Sequence, residues 1–379
     1  MKKISEYLTD CRSEMFALLE ELVNIQSGSH NKPGVDDVSL RIAQEMASMG
    51  FTCQSLEETE LGDHLIARSP GFTPDAPHLL LTGHMDTVFP HDTDFRSYSE
   101  DTDHCYGPGT ADMKGGLVVG IFALKALSRL GLMPRLPVTF FFNSDEEIGS
   151  PTSRNPIARE AESAAAGFVL EAGGLNGEIV SGRKGNLSLR IHVEGQAGHA
   201  AFAGPSKASA ILELSHKTLA LEALNQPDQG ISANVGTFNG GIGRNVIAQH
   251  ACGEIDFRFP NPEGEELILE AVEKIMDTTT VAGTQTQCER ISGRPPMPAT
   301  PANHDLYKRV EALAIELGIP VKEEFRQGVS DANIIAGTGT PVLDGLGPCG
   351  AKDHSADEYI LKQSLWERTL LFACLLAEF

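Results

Sequence analysis

Five short segments of the sequence place histidine and carboxylate side chains directly after apolar runs. The segments are LTGHMDTV, GPGTADMKGG, NSDEEIGS, LEAGG and KDHSADEY. The candidate side chains that they supply are His84, Asp86, Asp112, Glu146, Glu147, Glu171 and His354. Imidazole and carboxylate groups are the ligands suited to zinc and its neighbours, and burying so many acids without a cation would be costly. These residue types therefore predict a metal site.

Five of these groups fit a site for two divalent metal ions. Each ion would take one histidine and one glutamate, one aspartate would bridge both ions, and a position would remain for a shared water. A sixth group, a glutamate that binds no metal, would then act as the base. We therefore expect the adjacent Glu146 and Glu147 to divide two tasks, one holding metal and the other moving protons.

The elements that must position these side chains are strands and helices in alternation. Between residues 75 and 172 the sequence predicts a strand at HLLL, a helix at GGLVVGIFALKALSRLG closed by Gly131, a strand at PVTFFFNS, an alanine-rich helix near residues 156–166 and a strand at GFVLEAGG. Such alternation implies a parallel sheet covered on both faces. Ligands of these sheets collect beyond the carboxyl ends of the strands, so the candidate side chains should meet at one sheet edge.

The pattern changes after residue 183. Residues 183–294 read as β-α-β-β-α-β, an antiparallel two-layer unit, and from about residue 295 the helix, strand and helix signals resume. We predict an α/β fold whose mixed, mainly parallel sheet carries helices on both faces. Its catalytic domain would be discontinuous, residues 1–182 and 295–379, and residues 183–294 would form an inserted α+β domain.

Charge and composition narrow the possible partners. The chain has 379 residues and a formal net charge of −22, which repels phosphate backbones and anionic lipid. The longest apolar runs, GGLVVGIFAL and LLFACLLA, are far shorter than the roughly 18 to 20 residues that a membrane span needs. The seven cysteines are scattered and lack CxxC spacing, which favours a reducing compartment. We expect a cytoplasmic protein that binds neither nucleic acid nor membrane.

Two other kinds of site are disfavoured by the motifs. The segment GPGTAD departs from the dinucleotide-binding pattern GxGxxG at its sixth residue, Asp112, and no phosphate-binding glycine loop with a lysine is present. No GxSxG elbow occurs, and the serines near HSADEY lack the strand-to-helix context of a nucleophile. Nucleotide binding and serine hydrolase chemistry are therefore not expected.

Taken in order, the segments GHMDTV, GPGTADMKGG, DEEIGS, GQAGHA and DHSADEY resemble the M20 family of dinuclear zinc metallopeptidases and deacylases. The resemblance covers nearly the whole chain. Within the family, the chain is most similar to the glutamate carboxypeptidase (carboxypeptidase G2-like) branch, through GPGTADMKGG and the later segments GRPP and GVSDA.

The resemblance implies a role for each candidate side chain. The metal ligands it implies are His84 and Glu171 for one ion, Glu147 and His354 for the other, and Asp112 as the bridge. Glu146 becomes the general base, and Asp86 becomes the carboxylate that orients the His84 imidazole. The ions are expected to be Zn²⁺, with Co²⁺ or Mn²⁺ as alternatives. The resemblance also implies a cis peptide between Asp112 and Met113.

The inserted unit resembles the lid or dimerisation domain of the family. His199 in AGHA matches the histidine that reaches a neighbouring active site and stabilises the oxyanion, which implies a homodimer. Asn245, Arg258 and Arg294 match positions that hold the free carboxylate of the substrate. Apart from the resemblance, His199 and Asn245 could be turn residues, and the two arginines could form structural ion pairs.

The activity implied by the resemblance is hydrolysis of an amide bond in a small molecule or short peptide. The released amino acid would carry a free α-carboxylate and would be a C-terminal glutamate-like residue. Metal-activated water and Glu146 would perform the reaction. One alternative is an N-acyl-amino-acid deacylase of the acetylornithine or succinyl-diaminopimelate type. A minor alternative is a non-catalytic binding or scaffold protein that kept the fold.

Overall fold

The computed structural model describes residues 1–204 and 207–379. The chain forms two compact units, each with its own hydrophobic core. The first unit comprises Met1–Gly182, Ala299–Arg326 and Ser330–Phe379. The second comprises Arg183–Pro298 and Gln327–Val329. The chain therefore leaves the first unit after Gly182, returns to it at Ala299, and leaves it again only for Gln327–Val329.

Helices and strands alternate along most of the chain. Within the described residues, the α-helices are α1 (Lys2–Asp10), α2 (Arg12–Asn24), α3 (Lys32–Ser48), α4 (Gly115–Leu130), α5 (Arg154–Glu162), α6 (Ala210–Glu222), α7 (Pro262–Asp277), α8 (Pro301–Leu317), α9 (Ala332–Gly337) and α10 (Lys362–Leu376). The β-strands are β1 (Thr52–Leu56), β2 (His64–Arg68), β3 (His78–His84), β4 (Ser99–Glu100), β5 (His104–Tyr106), β6 (Val138–Asn143), β7 (Ala164–Val169), β8 (Glu178–Arg183), β9 (Gly185–Glu194), β10 (Gly198–His199), β11 (Ser232–Gly240), β12 (Val246–Ile247), β13 (His250–Phe259), β14 (Gln285–Arg294), β15 (Lys322–Arg326), β16 (Val342–Leu343), β17 (Gly350–Ala351) and β18 (Tyr359–Leu361). Short helical turns lie at Thr110–Lys114, Glu146–Ile148, Ala200–Phe202 and Pro227–Gln229. None of the helices in these residues combines the length and apolar character that crossing a membrane requires.

The main sheet of the first unit has the strand order β1-β2-β6-β3-β7-β16. β3 pairs in parallel with β6 and β7, and β16 pairs in parallel with β7. β2 runs antiparallel to both β6 and β1. The sheet is thus mixed and mainly parallel, as predicted, and β16 from the returning segment extends it.

Helices cover both faces of this sheet. Leu79 and Leu81 of β3 belong to the core formed with α1, α4 and α10, whereas Leu80 between them is buried outside that core. On the opposite face, a Cβ added at Gly167 of β7 would lie 2.8 Å from Cγ2 of Ile335 in α9. Each fully buried leucine contributes about 1.5–3 kcal/mol. The two-sided burial explains why these strands read as continuous apolar runs.

One predicted helix boundary is wrong. The alanine-rich segment near residues 156–166 was expected to be helical throughout, but α5 ends at Glu162 and β7 begins at Ala164. Ala164 pairs with His78, and Ala166 pairs with Leu79 of β3. Pairing with a buried strand outweighs the helix preference of alanine, which is the highest of any residue but amounts to less than about 1 kcal/mol per residue relative to ordinary residues.

The second unit is the predicted β-α-β-β-α-β arrangement. Its strands form an antiparallel sheet in the order β11-β13-β9-β14, and α6 and α7 contribute to its core. Leu189, Ile191 and Val193 of β9 face this core. The residues between them are polar, and Arg190 forms ion pairs with Glu254 and with Glu289 across the sheet. Strict alternation along β9 therefore reflects a sheet with one apolar face and one polar face.

A small sheet in the first unit connects two loops that carry candidate ligands. Its strand order is β17-β18-β5-β4. β5 leads into the turn that contains Asp112, and β18 follows the loop that contains His354. The antiparallel pair of Ile360 with Cys105 joins the two strands. Residues that are far apart in the sequence are thereby held next to each other.

Candidate metal centre

The carboxyl ends of three parallel strands place candidate side chains at one edge of the main sheet. His84 is the last residue of β3, and in register it pairs with Asn143, the last residue of β6. Glu146 and Glu147 begin the short helical turn after β6. Glu171 follows the end of β7. The order of the parallel strands, β6-β3-β7, therefore assembles these groups.

The carboxylate of Asp112 lies between two histidines. Its Oδ1 is 2.9 Å from Nε2 of His84, and its Oδ2 is 3.1 Å from Nε2 of His354. Nδ1 of His84 lies 3.0 Å from the backbone oxygen of Asp86 and 3.4 Å from its Oδ1. A neutral His84 that donates from Nδ1 presents a lone pair at Nε2. This lone pair would repel Oδ1 of Asp112, so the short distance between the two atoms requires either a proton on Nε2 or a cation between them.

Two glutamates extend the cluster on either side of Asp112. Oε2 of Glu147 lies 3.3 Å from Nε2 of His354, and Oε1 of Glu171 lies 3.7 Å from Nε2 of His84. Ligand atoms of His84, Asp112 and Glu147 all lie within 4.8 Å of one another. One glutamate thus accompanies each histidine, with the Asp112 carboxylate between them.

The electrostatics of the cluster are those of acids crowded without enough positive charge. Burial raises the pKa of Glu147 to about 7, and the negative charges of Asp112 and Glu146 add to the rise. Burial and the charge of Asp112 also raise the pKa of Glu171 well above its usual range. Hydrogen bonds to Asp112 and Glu147 raise the pKa of His354 to about 11. Divalent cations would relieve this repulsion, because a bound ion is the largest local charge in such a site.

One buried oxygen of the cluster also indicates that the site is suited to a metal ion. Oε1 of Glu147 is buried and has no hydrogen-bond partner among the described residues. A buried carboxylate oxygen without a partner is costly, whereas oxygen and imidazole nitrogen together are ligands for zinc, cobalt and manganese. The cluster therefore has both the ligand types and an unsatisfied atom that a cation would satisfy.

Asp86 fixes the turn that carries the two glutamates. Its Oδ1 accepts the backbone N–H of Glu146, and its Oδ2 accepts that of Glu147, both at 3.2 Å. Ser29 donates its hydroxyl to Oδ2 at 2.7 Å. Asp86 thus touches His84 on one side and the Glu146–Glu147 turn on the other.

His354 lies on a loop whose backbone is unusual. Lys352 and His354 have positive φ angles of 63° and 60°, values that non-glycine residues rarely adopt. Such a conformation persists where the surroundings enforce it, commonly at functional sites.

The peptide between Asp112 and Met113 is cis, as the resemblance led us to expect.

Several residues around the cluster were missed by the sequence analysis. Asp353 and His354 together with Asp112 form a second group of close ligand atoms, although Asp353 is exposed. Ser29 and the buried Glu358 hold the surrounding backbone. Glu358 stands in the motif DHSADEY, where its position directly before a strand was the available signal. Ser29 comes from a loop near the N-terminus and has no comparable signal.

In the second unit, His199 and Asn245 lie next to each other. His199 pairs with Val246 across the short β10–β12 ribbon, and the backbone oxygen of Asn245 accepts the N–H of Ala200 at 3.0 Å. Nδ1 of His199 accepts the N–H of Ala201 at 3.2 Å. His199 and Asn245 are exposed, and Asn245 lies in a turn.

Arg258 and Arg294 lie in one row of the second unit's sheet. Both are directly opposite Asn186 of β9, whose Oδ1 accepts the backbone N–H of Arg294 at 2.9 Å. Nε of Arg258 is 2.7 Å from Oδ2 of Asp256, an ion pair within one strand. Burial and the charge of Arg258 lower the pKa of Lys184. Positive charge is therefore concentrated at this end of the sheet.

Comparison with known proteins identifies the class. The chain matches Peptidase family M20/M25/M40 over residues 80–378 and belongs to that family. Carboxypeptidase G2 of Pseudomonas sp. (strain RS-16) is 28% identical over 376 residues, which cover 98% of this chain and 90% of that protein. The predicted M20 membership, the similarity to the carboxypeptidase G2 branch and the prediction of a metal-dependent hydrolase are confirmed.

Two further relatives widen the comparison. Succinyl-diaminopimelate desuccinylase of Variovorax paradoxus (strain S110) is 26% identical over 390 residues, covering 94% of this chain and 97% of that protein. The crystal structure of aminopeptidase PepT from Bacillus cereus has a TM-score of 0.80 at 23% identity and covers 97% of this chain and 98% of its own. The structural similarity to PepT supports the predicted α/β fold.

Proposed function

We propose that this protein is a dinuclear metallohydrolase that releases an amino acid with a free α-carboxylate by cleaving an amide bond. The preferred product is a C-terminal glutamate-like residue. The observation that carries the proposal is the position of Asp112, whose two carboxylate oxygens face Nε2 of His84 at 2.9 Å and Nε2 of His354 at 3.1 Å. A carboxylate placed between two imidazoles is suited to bridging two ions.

The ligand set divides into two halves around Asp112. We assign His84 and Glu171 to one ion and Glu147 and His354 to the other, because each glutamate lies within 4 Å of the corresponding histidine. When bound, two divalent ions lower the pKa of water and polarise the scissile carbonyl. We propose Zn²⁺, with Co²⁺ and Mn²⁺ as alternatives, since all three accept histidine and carboxylate ligands.

Glu146 is the proposed general base. It directly precedes Glu147 in the turn Glu146–Ile148, and its negative charge contributes to the raised pKa values of Glu147 and Glu171, which supports a position beside the cluster. Asp86 accepts its backbone N–H, so the turn that carries it is fixed. Glu146 would take a proton from the attacking water and deliver it to the leaving amine.

His199 is the proposed donor to the oxyanion. Its Nδ1 accepts a hydrogen bond from Ala201, so the neutral ring carries its proton on Nε2 and can donate from there. We propose that it acts in the active site of a second copy of the chain, which makes the protein a homodimer.

Surface features of the second unit support such a dimer. β11 is an edge strand, and α6 exposes Leu219 by 71% and Leu212 by 41%. Edge strands and contiguous exposed apolar residues favour association. We propose that residues 183–294 act as the lid and dimerisation domain on the catalytic domain formed by residues 1–182 and 295–379.

The substrate carboxylate is the proposed ligand of Arg258, Arg294 and Asn245. Arginine binds carboxylates through paired hydrogen bonds, and the row of Arg258, Asn186 and Arg294 concentrates positive charge. Arg258 already pairs with Asp256, so a substrate carboxylate would share or replace that partner.

An N-acyl-amino-acid deacylase of the succinyl-diaminopimelate type is the second candidate. The 26% identical desuccinylase, which matches 94% of this chain, favours it. Such a reaction would use the same ligands and the same base, and it would differ in the acyl side of the substrate. The scaffold alternative is disfavoured, because none of the predicted ligands is replaced in the sequence.

We also propose a cytoplasmic location, because the cysteines of the described chain are free.

The test is a panel of substrates offered to the zinc-loaded protein, with release of free amine as the readout. Acyl-glutamates and dipeptides with C-terminal glutamate are compared with acetylornithine, succinyl-diaminopimelate and dipeptides that end in other residues. Chelator-sensitive release of C-terminal glutamate is expected. Selective cleavage of succinyl or acetyl substrates would favour the deacylase, and no release from any substrate would contradict the proposed class of activity.

A further inference from the structure

Glu358 is a fully buried carboxylate that the reaction proposed above does not use. It ends the loop that carries His354 and directly precedes β18. β18 pairs antiparallel with β5, the strand that leads into the turn containing Asp112. The pairing therefore brings the Glu358 side chain against that turn.

The carboxylate of Glu358 accepts three backbone hydrogen bonds from a single turn. Oε1 accepts the N–H of Ala111 at 2.7 Å and that of Asp112 at 3.0 Å, and Oε2 accepts the N–H of Gly109 at 3.2 Å. The backbones of Asp112 and Met113, with φ angles of −120° and −133°, are not helical. The N–H groups of Gly109, Ala111 and Asp112 lie at the N-terminal end of the turn Thr110–Lys114, where a helical turn offers no acceptor of its own, and a buried N–H without a partner is costly.

The loop that carries His354 and Glu358 contacts both the backbone and the side chain of Asp112. Glu358 accepts the Asp112 N–H, while His354 faces Oδ2 of the Asp112 side chain at 3.1 Å. Two residues further on, Nζ of the buried Lys114 donates a hydrogen bond to the backbone oxygen of Ile25 at 2.9 Å. Its positive charge interacts with the negative charge of Glu358. The turn is thus held by two buried side chains, Glu358 and Lys114, as well as by its own backbone.

We propose that Glu358 is a positioning residue that orients the Asp112 carboxylate so that each oxygen serves a different metal ion. The inference rests on the dinuclear site proposed above. A Glu358 that only stabilised the fold would change the unfolding temperature and leave metal binding alone. A positioning Glu358 must also change how the second ion binds.

The experiment is a Co²⁺ titration of the metal-free full-length protein, followed by calorimetry and by visible absorption. Wild type is compared with Glu358→Gln and with the control Glu178→Gln. Glu178 is also a buried carboxylate that accepts a backbone N–H, from Asn176, but it contacts no candidate ligand among the described residues. Each variant is first checked for a native circular dichroism spectrum.

The expected result is specific to one ion. Wild type and Glu178→Gln should bind two equivalents of Co²⁺. Glu358→Gln should retain one equivalent and bind the other about 10-fold to 100-fold more weakly, the usual effect of losing a group that orients a metal ligand. Its Co²⁺ absorption bands should shift. With substrate, kcat should fall while KM stays within about twofold, because the substrate-binding groups are unchanged.

The outcomes separate this inference from the proposed function. Two equivalents bound by Glu358→Gln with wild-type affinities and bands would overturn the positioning role and leave the dinuclear site intact. Failure of wild type to bind two equivalents would instead overturn the dinuclear site. If Glu358→Gln does not fold, Glu358→Asp replaces it. The shorter carboxylate cannot reach all three N–H groups, so wild-type affinity for both ions would again overturn the inference.

Discussion

The candidate metal ligands of the first unit and the candidate substrate residues of the second unit are held in contrasting ways. Ligand atoms of His84, Asp112 and Glu147 lie within 4.8 Å of one another, and the backbone around them is held by buried Asp86 and Glu358. In the second unit, His199 and Arg258 instead have hydrogen-bond or ion-pair partners only two residues away in the chain. His199 accepts a bond from Ala201, and Arg258 pairs with Asp256.

The contrast reflects what each group must do. Clustered carboxylates repel one another, so their geometry has to be built into the fold and a cation has to complete it. His199, Asn245 and Arg258 would meet a substrate only transiently, so they can stay partly solvated between turnovers, whereas Arg294 is buried. The first set should therefore respond to metal and pH, and the second set should respond to substrate alone.

The largest expected effect comes from Glu146→Gln. The amide cannot accept a proton, so kcat should fall by about 100-fold to 10,000-fold, while both metal ions should stay bound because Glu146 is not among the proposed ligands. Single-turnover kinetics and metal analysis of the same sample provide the measurement. Glu162→Gln, an exposed glutamate of the same unit, is the control and should keep wild-type rates. Intact activity in Glu146→Gln would remove Glu146 from the mechanism.

A smaller effect, confined to substrate, is expected for Arg294→Ala. Hydrogen bonds to charged groups contribute about 1.5–3 kcal/mol, so kcat/KM for substrates with a free carboxylate should fall by about 10-fold to 150-fold. Metal content should not change. Arg290→Ala, an exposed arginine on the same strand, is the control. The same substrates with the carboxylate converted to an amide are measured in parallel, and an equal loss of kcat/KM for them would contradict the assigned role.

Asp86→Asn should weaken metal binding by about 10-fold to 100-fold, because the altered carboxylate lies 3.4 Å from Nδ1 of His84 and accepts the backbone N–H groups of Glu146 and Glu147. Calorimetric titration with Zn²⁺ measures the change. Asp101→Asn is a matched control, since Asp101 also accepts backbone N–H groups but lies on an exposed loop. Unchanged Zn²⁺ affinity in Asp86→Asn would show that Asp86 supports the backbone only.

The smallest expected effect is a pH dependence of the metal-free protein. The pKa values of Glu147 and Glu358 are each raised to about 7 in the folded state, chiefly by burial. A raised pKa stabilises the fold below the unfolded value near 4.5 and loses that contribution as pH rises towards 7. The unfolding temperature should therefore fall by several degrees between pH 5 and 8 without metal. Added Zn²⁺ should raise it more at pH 8 than at pH 5.

Differential scanning calorimetry with and without chelator measures this dependence. Glu147→Gln removes one of the raised groups, so its metal-free form should lose less stability over the same pH range. A metal-free wild type whose stability rises from pH 5 to 8 would contradict the electrostatic description of the cluster.

Much of the first unit's site could be predicted from the sequence for a physical reason. Strands buried on both faces are mostly apolar, so charged and imidazole side chains such as Glu146 and His84 are conspicuous where the strands end. Helix α4 was also predictable, because Gly131, with a φ of 67°, closes it in the left-handed conformation that glycine favours.

Other features could not be predicted because they depend on partners distant in the sequence. Ala164 joins a strand because His78 of β3 pairs with it. Glu358 accepts N–H groups nearly 250 residues away in the chain, between Gly109 and Asp112. No local periodicity records either contact. The hydrogen bonding of Arg258 to Asp256 is local, yet only coordinates distinguish it from an arginine that awaits a substrate.

The central claim is that Asp112 bridges two metal ions, and metal content tests it most directly. Wild type, Asp112→Asn and Asp353→Asn are loaded with Zn²⁺, dialysed and analysed by mass spectrometry of the metal. Two ions per chain are predicted for wild type and for Asp353→Asn, whose exposed carboxylate is not an assigned ligand. At most one ion is predicted for Asp112→Asn. Two ions retained by Asp112→Asn, or one or none in wild type, would contradict the account.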